Sequence, residues 1–367
     1  MTPVSDNDTR LIVSTQLVKA RELVGLKPED VAREIGVSPT DVLTWERGSS
    51  EPALGVLEAL ARLYGREIDF FLRETPSPPR EIKFRGKPGA SLEHLSKETR
   101  LVLGRFDELC RMAFEFEGLL NVARQVNLNT LAQNLPARKA AEQVRALCKL
   151  GDNPISDLRG ALETAGARIF EIPVPNDELS GFSFWHPQYG PCILVNAKDS
   201  KGRRNFTLAH ELGHLLYDHG TCACYIPMMI SDVHHTVERK ANQFAAEFLL
   251  PEIPVVKDFH HRNLGRSPSE TQLASMAARW MVSVQALGYR LEKLQLVKAG
   301  VTDKIVESRP TFFRRPKVPP WERRLGKRYV DTTLSAYRSN LISASKLAHA
   351  LQIPIRKALE KIETAGR

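Results

Sequence analysis

The chain has 367 residues, of which 42% are hydrophobic and 26% charged, and a formal net charge of +9. It is long for one core and ordinary for a globular protein, so two or three domains are expected and a fibrous or wholly disordered chain is excluded. No apolar run approaches membrane-spanning length, the N-terminus lacks a secretory signal pattern, and five cysteines are an odd number that suits reduced thiols, so a cytoplasmic protein without membrane attachment is expected.

Residues 1–13 read as disordered. Residues 14–75 carry a helix-turn-helix pattern. Gly36 ends one short helix, Ser38 caps the next and Gly48 closes that one. Val31, Ile35, Val42 and Trp45 have the spacing of two helices crossing over a small core, and Leu57, Leu60, Ala61 and Tyr64 continue it on a further helix. The segment Leu17–Leu72, with Trp45-Glu46-Arg47-Gly48 and a following proline, resembles the Xre/Cro-type helix-turn-helix over its whole length. That resemblance implies an all-α domain whose candidate DNA-binding residues are Ser38, Thr40, Asp41, Thr44 and Arg47. The charge is unhelpful to that role: Leu17–Arg73 holds eight Lys and Arg against ten Asp and Glu, and phosphate contacts supply most non-specific affinity. Pro28 suits a helix start but offers no side-chain hydrogen bond to phosphate. Asp41 can accept from a cytosine amino group but repels nearby phosphate. A protein-docking module, or an internal mimic of a repressor, is the alternative.

Residues 76–90 read as a linker, opening with the stiff run Pro76-Ser77-Pro78-Pro79. Residues 91–150 read as a helical connector, with apolar residues at helical spacing over Leu101–Arg124, and are a candidate homodimer surface.

Residues 151–297 hold the chemistry. Strands are expected over Arg168–Val174, Phe182–Phe184 and Ile193–Val195, after a helix over Leu158–Ala165. Then comes His210-Glu211-Leu212-Gly213-His214 in an apolar setting, with Thr207 as the expected helix cap. Residues four apart share a helix face, so His210 and His214 can reach one Zn²⁺, and Glu211 is placed to take a proton from the attacking water. A catalytic zinc needs a third protein ligand. Residues 238–250 read as a second helix ending before Pro251, with Glu238 as a ligand and Asn242, one turn on, holding a ligand histidine in its tautomer. Glu247 is the rival ligand. His219 follows His214 by five residues, short of the metzincin spacing, and His234 and His235 read as loop residues. Cys222 and Cys224 lack a second pair and read as small loop or core residues.

The pair of segments Phe206–His214 and Glu238–Pro251 resembles the ImmA/IrrE family of zinc metallopeptidases, and the resemblance runs from about Asn153 to Leu296. It includes the lead-in Asp152–Leu158 and the apolar run Pro191–Asn196. It implies that His210, His214 and Glu238 bind the metal and that Glu211 is the catalytic base. It also implies a soluble regulatory protease whose substrates are helix-turn-helix repressors, in stress response or mobile-element control.

Residues 298–367 form a basic, helical C-terminal segment. Val301–Arg367 holds fifteen Lys and Arg against six Asp and Glu. Arg309, Arg314, Arg315, Lys317, Arg323, Arg324, Lys327 and Arg328 are interleaved with Phe312, Phe313, Trp321 and Tyr329, a mixture that can hold single-stranded nucleic acid or serve as a connector packed on the protease. A small helical pair is expected around Ser343–Leu359. The fold expected is mixed: an all-α helix-turn-helix domain, an α+β zincin-like metallopeptidase domain and this basic helical segment. The function expected is a zinc endopeptidase acting on a protein substrate, with DNA bound through the helix-turn-helix or the C-terminal segment. The alternative is a DNA-binding transcription regulator whose metallopeptidase fold serves as a sensor or dimerisation domain.

Overall fold

A computed structural model describes residues 6–72, 83–85, 95–122, 126, 128, 135–175, 178–217, 223–225, 232–308 and 317–364. The chain divides into two compact units, Met1–Phe84 with Pro88–Leu109, and Arg85–Lys87 with Cys110–Arg367.

The first unit is helical: α1 (Asp6–Val24), α2 (Pro28–Ile35), α3 (Pro39–Glu46), α4 (Leu54–Tyr64) and α5 (Ile68–Phe71). The chain is already helical from Asp6, inside the segment expected to be disordered. The reason is an apolar stripe: Val13, Leu17, Ala20 and Val24 recur along one face of α1 and are all buried. They meet Val31, Ala32, Val42, Leu57, Leu60 and Tyr64 in one core. Gly36 closes α2 at φ 75°, in the left-handed region that glycine reaches without a Cβ penalty. Glu46 accepts from Arg21 at 2.6 and 2.9 Å and so ties α3 to α1. A short strand, β1 (Lys83–Arg85), lies within the expected linker. α6 (Lys97–Leu119) follows, its first half in the first unit and its second half in the second.

In the second unit the order is α7 (Ala137–Leu147), α8 (Leu158–Thr164), β2 (Arg168–Ile172), β3 (Gly181–His186), β4 (Gly190–Asn196), α9 (Lys201–Tyr217), β5 (Ala223–Tyr225) and α10 (Asp232–Leu249). Then come α11 (Glu252–His261), α12 (Glu270–Arg279), α13 (Val284–Lys293), α14 (Val301–Glu307), α15 (Trp321–Leu325), α16 (Lys327–Arg338), α17 (Ala344–Leu351) and α18 (Ile355–Thr364). Within this unit the strands run in the order β5-β3-β4-β2, with β2 parallel to β4 and β3 antiparallel to both β4 and β5. Every residue of β4 is buried, as suits a central strand covered on both faces. This is an α+β domain beside the helical one.

One expectation changes here, and for the C-terminal segment the packed reading holds at Tyr329. Residues 91–150 are not one connector, because α7 belongs to the core of the second unit. Its Ala140, Ala141 and Val144 pack with Phe244, Ala245 and Phe248 of α10. Buried Arg145 donates to the carbonyls of Phe248 (2.6 Å), Gly151 (2.7 Å) and Asn153 (2.6 Å), satisfying a helix end and pinning the lead-in. The C-terminal helices are likewise part of this unit. Tyr329 is buried, stands edge-on to Phe170 at 5.1 Å and donates to the Ala350 carbonyl at 3.2 Å, so its ring is core and not a base-stacking platform. Arg309, Phe312, Phe313, Arg314 and Arg315 lie outside the described residues. Among the described residues no helix is long and apolar enough to cross a membrane.

Candidate metal centre

α9 starts earlier than expected. It runs from Lys201, with Ser200 Oγ accepting from the Arg203 N–H at 3.3 Å. Thr207 is therefore not its cap. It begins a stretch, Thr207–Leu216, that is buried throughout. Asn205 holds the first part of α9 by donating to the Met281 carbonyl at 2.8 Å, just ahead of α13.

On this helix His210 and His214 present their Nε2 atoms 2.9 Å apart. Glu238, in α10, completes a triangle: Oε2 is 3.2 Å from His210 Nε2 and Oε1 is 3.2 Å from His214 Nε2. These ligand atoms all lie within 4.8 Å of one another, and the three side chains are buried. Bonds of the length zinc makes, at tetrahedral angles, set ligand atoms about 3.3 Å apart, so the donor set and its spacing fit that ion. The two helices meet closely because Gly213 faces Ala241, whose Cα would lie 3.1 Å from a Cβ at position 213. His210 Nδ1 donates to Asn242 Oδ1 at 3.0 Å, which leaves Nε2 as the lone-pair nitrogen toward the centre.

The electrostatics follow from this crowding. Burial alone would raise the Glu238 carboxyl, but hydrogen bonding and charge from His210 and His214 hold its pKa at about 2. For His210 burial opposes charge, yet Glu238 and Glu211 beside it leave the imidazole above its ordinary value.

Glu211, the next residue on α9, lines the same cleft as His210 and also reaches β3. Its Oε2 accepts from Ser183 Oγ at 2.7 Å, and both residues are buried. Gly181, two residues earlier on the same strand face, leaves the room it needs. A Cβ there would lie 2.5 Å from Thr207 Cγ2 and 2.8 Å from Glu211 Oε1. A cleft of about 700 Å³ opens onto His210 and Glu211, with Phe206, Tyr289, Arg203 and Lys293 among its walls.

Glu247, the rival ligand, is engaged elsewhere. Arg290 of α13 clasps both its oxygens, at 2.7 and 2.5 Å, and donates to the Leu250 carbonyl at 3.0 Å. His234 and His235 fall in the first turns of α10 and not in a loop. His219, Cys222 and the side chain of Cys224 lie outside the described residues. Ser183 and Gly181 are absent from the sequence-based site. Their one signal was two small residues alternating with phenylalanine in a strand expected to lie under the helix.

The five candidate DNA-binding residues all sit on α3 or its caps. Ser38 Oγ accepts from the Asp41 N–H at 3.1 Å and donates to Asp41 Oδ2 at 2.8 Å, while Asp41 Oδ2 also accepts from the Ser38 N–H at 3.2 Å. Asp41 is thus spent on a capping box. Thr44 Oγ1 donates to the Thr40 carbonyl at 2.7 Å. Ser38, Thr40 and Arg47 are exposed.

Comparison with known families agrees with these two parts. Residues 162–292 match the family model described as the IrrE N-terminal-like domain, and residues 17–71 match the helix-turn-helix model. No curated protein matches the chain.

Proposed function

From a chain that joins an N-terminal helix-turn-helix to an IrrE-type, metallopeptidase-like domain, we propose a zinc-dependent regulatory endopeptidase. The observation that carries this reading is the buried triangle of His210, His214 and Glu238, one corner of which, His210, lines an open cleft together with Glu211. The helix-turn-helix points to DNA as a partner, and the proposed substrate is a protein chain, a helix-turn-helix repressor, cut in response to a stress, phage or mobile-element signal.

His210, His214 and Glu238 would hold the metal, and Asn242 would keep His210 in the ligating tautomer. When bound, zinc supplies Lewis acidity, easing deprotonation of water and polarising a carbonyl. The protein's part is positioning and proton transfer. The substrate chain would lie in the cleft, against Phe206 and Tyr289. The Glu211 carboxylate takes a proton from the attacking water and returns it to the leaving amine nitrogen. Ser183 fixes that carboxylate by its 2.7 Å hydrogen bond. The space kept at Gly181 for Glu211 favours this reading over a sensor or dimerisation domain, which needs no base there.

Elemental analysis tests the metal. The purified protein is expected to hold about one zinc per chain, and His214→Ala to hold far less. Equal zinc in both would remove the site.

A further inference from the structure

Two helix pairs in this chain, some three hundred residues apart in sequence, are built to one pattern. α2 closes on Gly36 at φ 75° and α3 starts at Pro39. α17 closes on Gln352 at φ 57° and α18 starts at Ile355. Both first helices are eight residues long, and three residues separate each from its partner. The buried positions coincide as well. Val31, Ala32 and Val42 seal the first pair, and Leu347, Ala348 and Ala358, at the same spacing, seal the second. Gln352 holds a left-handed conformation that non-glycine residues seldom adopt, so the shape of the turn is maintained where sequence alone would not favour it. α16 packs against α17 and completes a three-helix group.

We propose that α16–α18 form a second helix-turn-helix that docks double-stranded DNA, with α18 entering the major groove. Charge separates it from the first module. Lys327–Thr364 holds seven Lys and Arg against three Asp and Glu, whereas Leu17–Arg73 is slightly acidic. Where α3 offers Thr40 and the capped Asp41, α18 offers Arg356 and Lys357 at the same positions, both exposed. Arg356 lies 3.2 Å from Glu360, but its side chain is 90% exposed, and so open a pair yields readily to phosphate. Ile355 and Leu359 are exposed on the same helix and suit contact with thymine methyl groups. Arg338, at the end of α16, is exposed too. Lys346 and Lys361 are committed to Glu115 and Glu322 and are left out of this surface.

The test uses the full-length protein and a labelled mixed-sequence duplex, followed by fluorescence anisotropy at low and physiological salt. Arg356→Glu with Lys357→Glu is expected to lower affinity by about tenfold or more at low salt and to reduce the slope of log affinity against log salt by about two. Arg33→Glu with Arg47→Glu, in the first module, is expected to have the smaller effect. Unchanged binding in the first double variant, a larger loss in the second, or no duplex binding by the wild type would each overturn the proposal. So would retained duplex binding with lost self-association, since the face would then join copies of this chain. Should the reversal variant melt early, Arg356→Gln with Lys357→Gln carries the test: a loss of about threefold or more supports the proposal, and none overturns it.

Discussion

Gly181→Ala probes the catalytic arrangement without touching a ligand or the base. The new Cβ would stand 2.5 Å from Thr207 Cγ2, 2.8 Å from Glu211 Oε1 and 2.9 Å from Glu211 Cγ. Comfortable contact between carbons begins at about 3.5 Å, so the site is short by roughly 1 Å on the threonine side and somewhat less on the glutamate side. β3 cannot retreat, because Gly181 is paired with Val195 in the central strand. α9 is held from behind by α10 at Gly213. Thr207 and the Glu211 side chain must therefore both give way, and Glu211 moves away from Ser183 and out of line with the attacking water. Overpacking of this kind costs about 1–3 kcal/mol in stability. Loss of a positioned general base costs about 10²–10⁴-fold in rate. The expected result is a folded protein with a lowered melting temperature, near-normal zinc and cleavage reduced at least a hundredfold. Melting, elemental analysis and cleavage of a candidate repressor report the three. Wild-type cleavage with an unchanged melting temperature would refute the reasoning, since Glu211 would then tolerate displacement.

The paired glutamates of α10 separate ligand from structure. Glu238→Ala is expected to lose zinc. Glu247→Ala is expected to keep it but to lose about 3–5 kcal/mol of stability on denaturant unfolding, because the buried guanidinium of Arg290 is left without its carboxylate. The reverse ranking in zinc content would move the ligand to Glu247. Cys148 gives a pH test. Burial pushes its thiol up to about 11, so the neutral form is the stable one in the fold, and its alkylation, followed by mass spectrometry, should stay slow through neutral pH and rise only as pH approaches that value. Fast labelling at neutral pH would show the site to be open.

Much of this was legible in the sequence because period fixes geometry. Two histidines four apart in a helix must share a face, and a left-handed glycine followed by a capping serine marks a turn between short helices. Glu238 and Asn242 could be set apart from Glu247 by register alone. What could not be read was partnership. The pattern of α7 says that one face is apolar but not that α10 covers it. Gly181 and Ser183 are unremarkable small residues until the helix that lies on their strand is known. Thr207 has the chemistry of a cap and stands before the motif, yet α9 begins at Lys201, so what reads as a boundary is a buried neighbour of Glu211. The C-terminal pair was visible as helices. Its likeness to α2 and α3 appears through the helix bounds, the buried positions and the left-handed angle of Gln352, which glutamine does not advertise.

The central claim, that Glu211 is the base beside a zinc held by His210, His214 and Glu238, is tested most directly by one variant. Glu211→Gln keeps the shape of the side chain and leaves all three ligands in place. The prediction is zinc content equal to wild type together with loss of cleavage of about a hundredfold or more, in one preparation assayed for both. Cleavage at the wild-type rate with zinc intact would contradict the account.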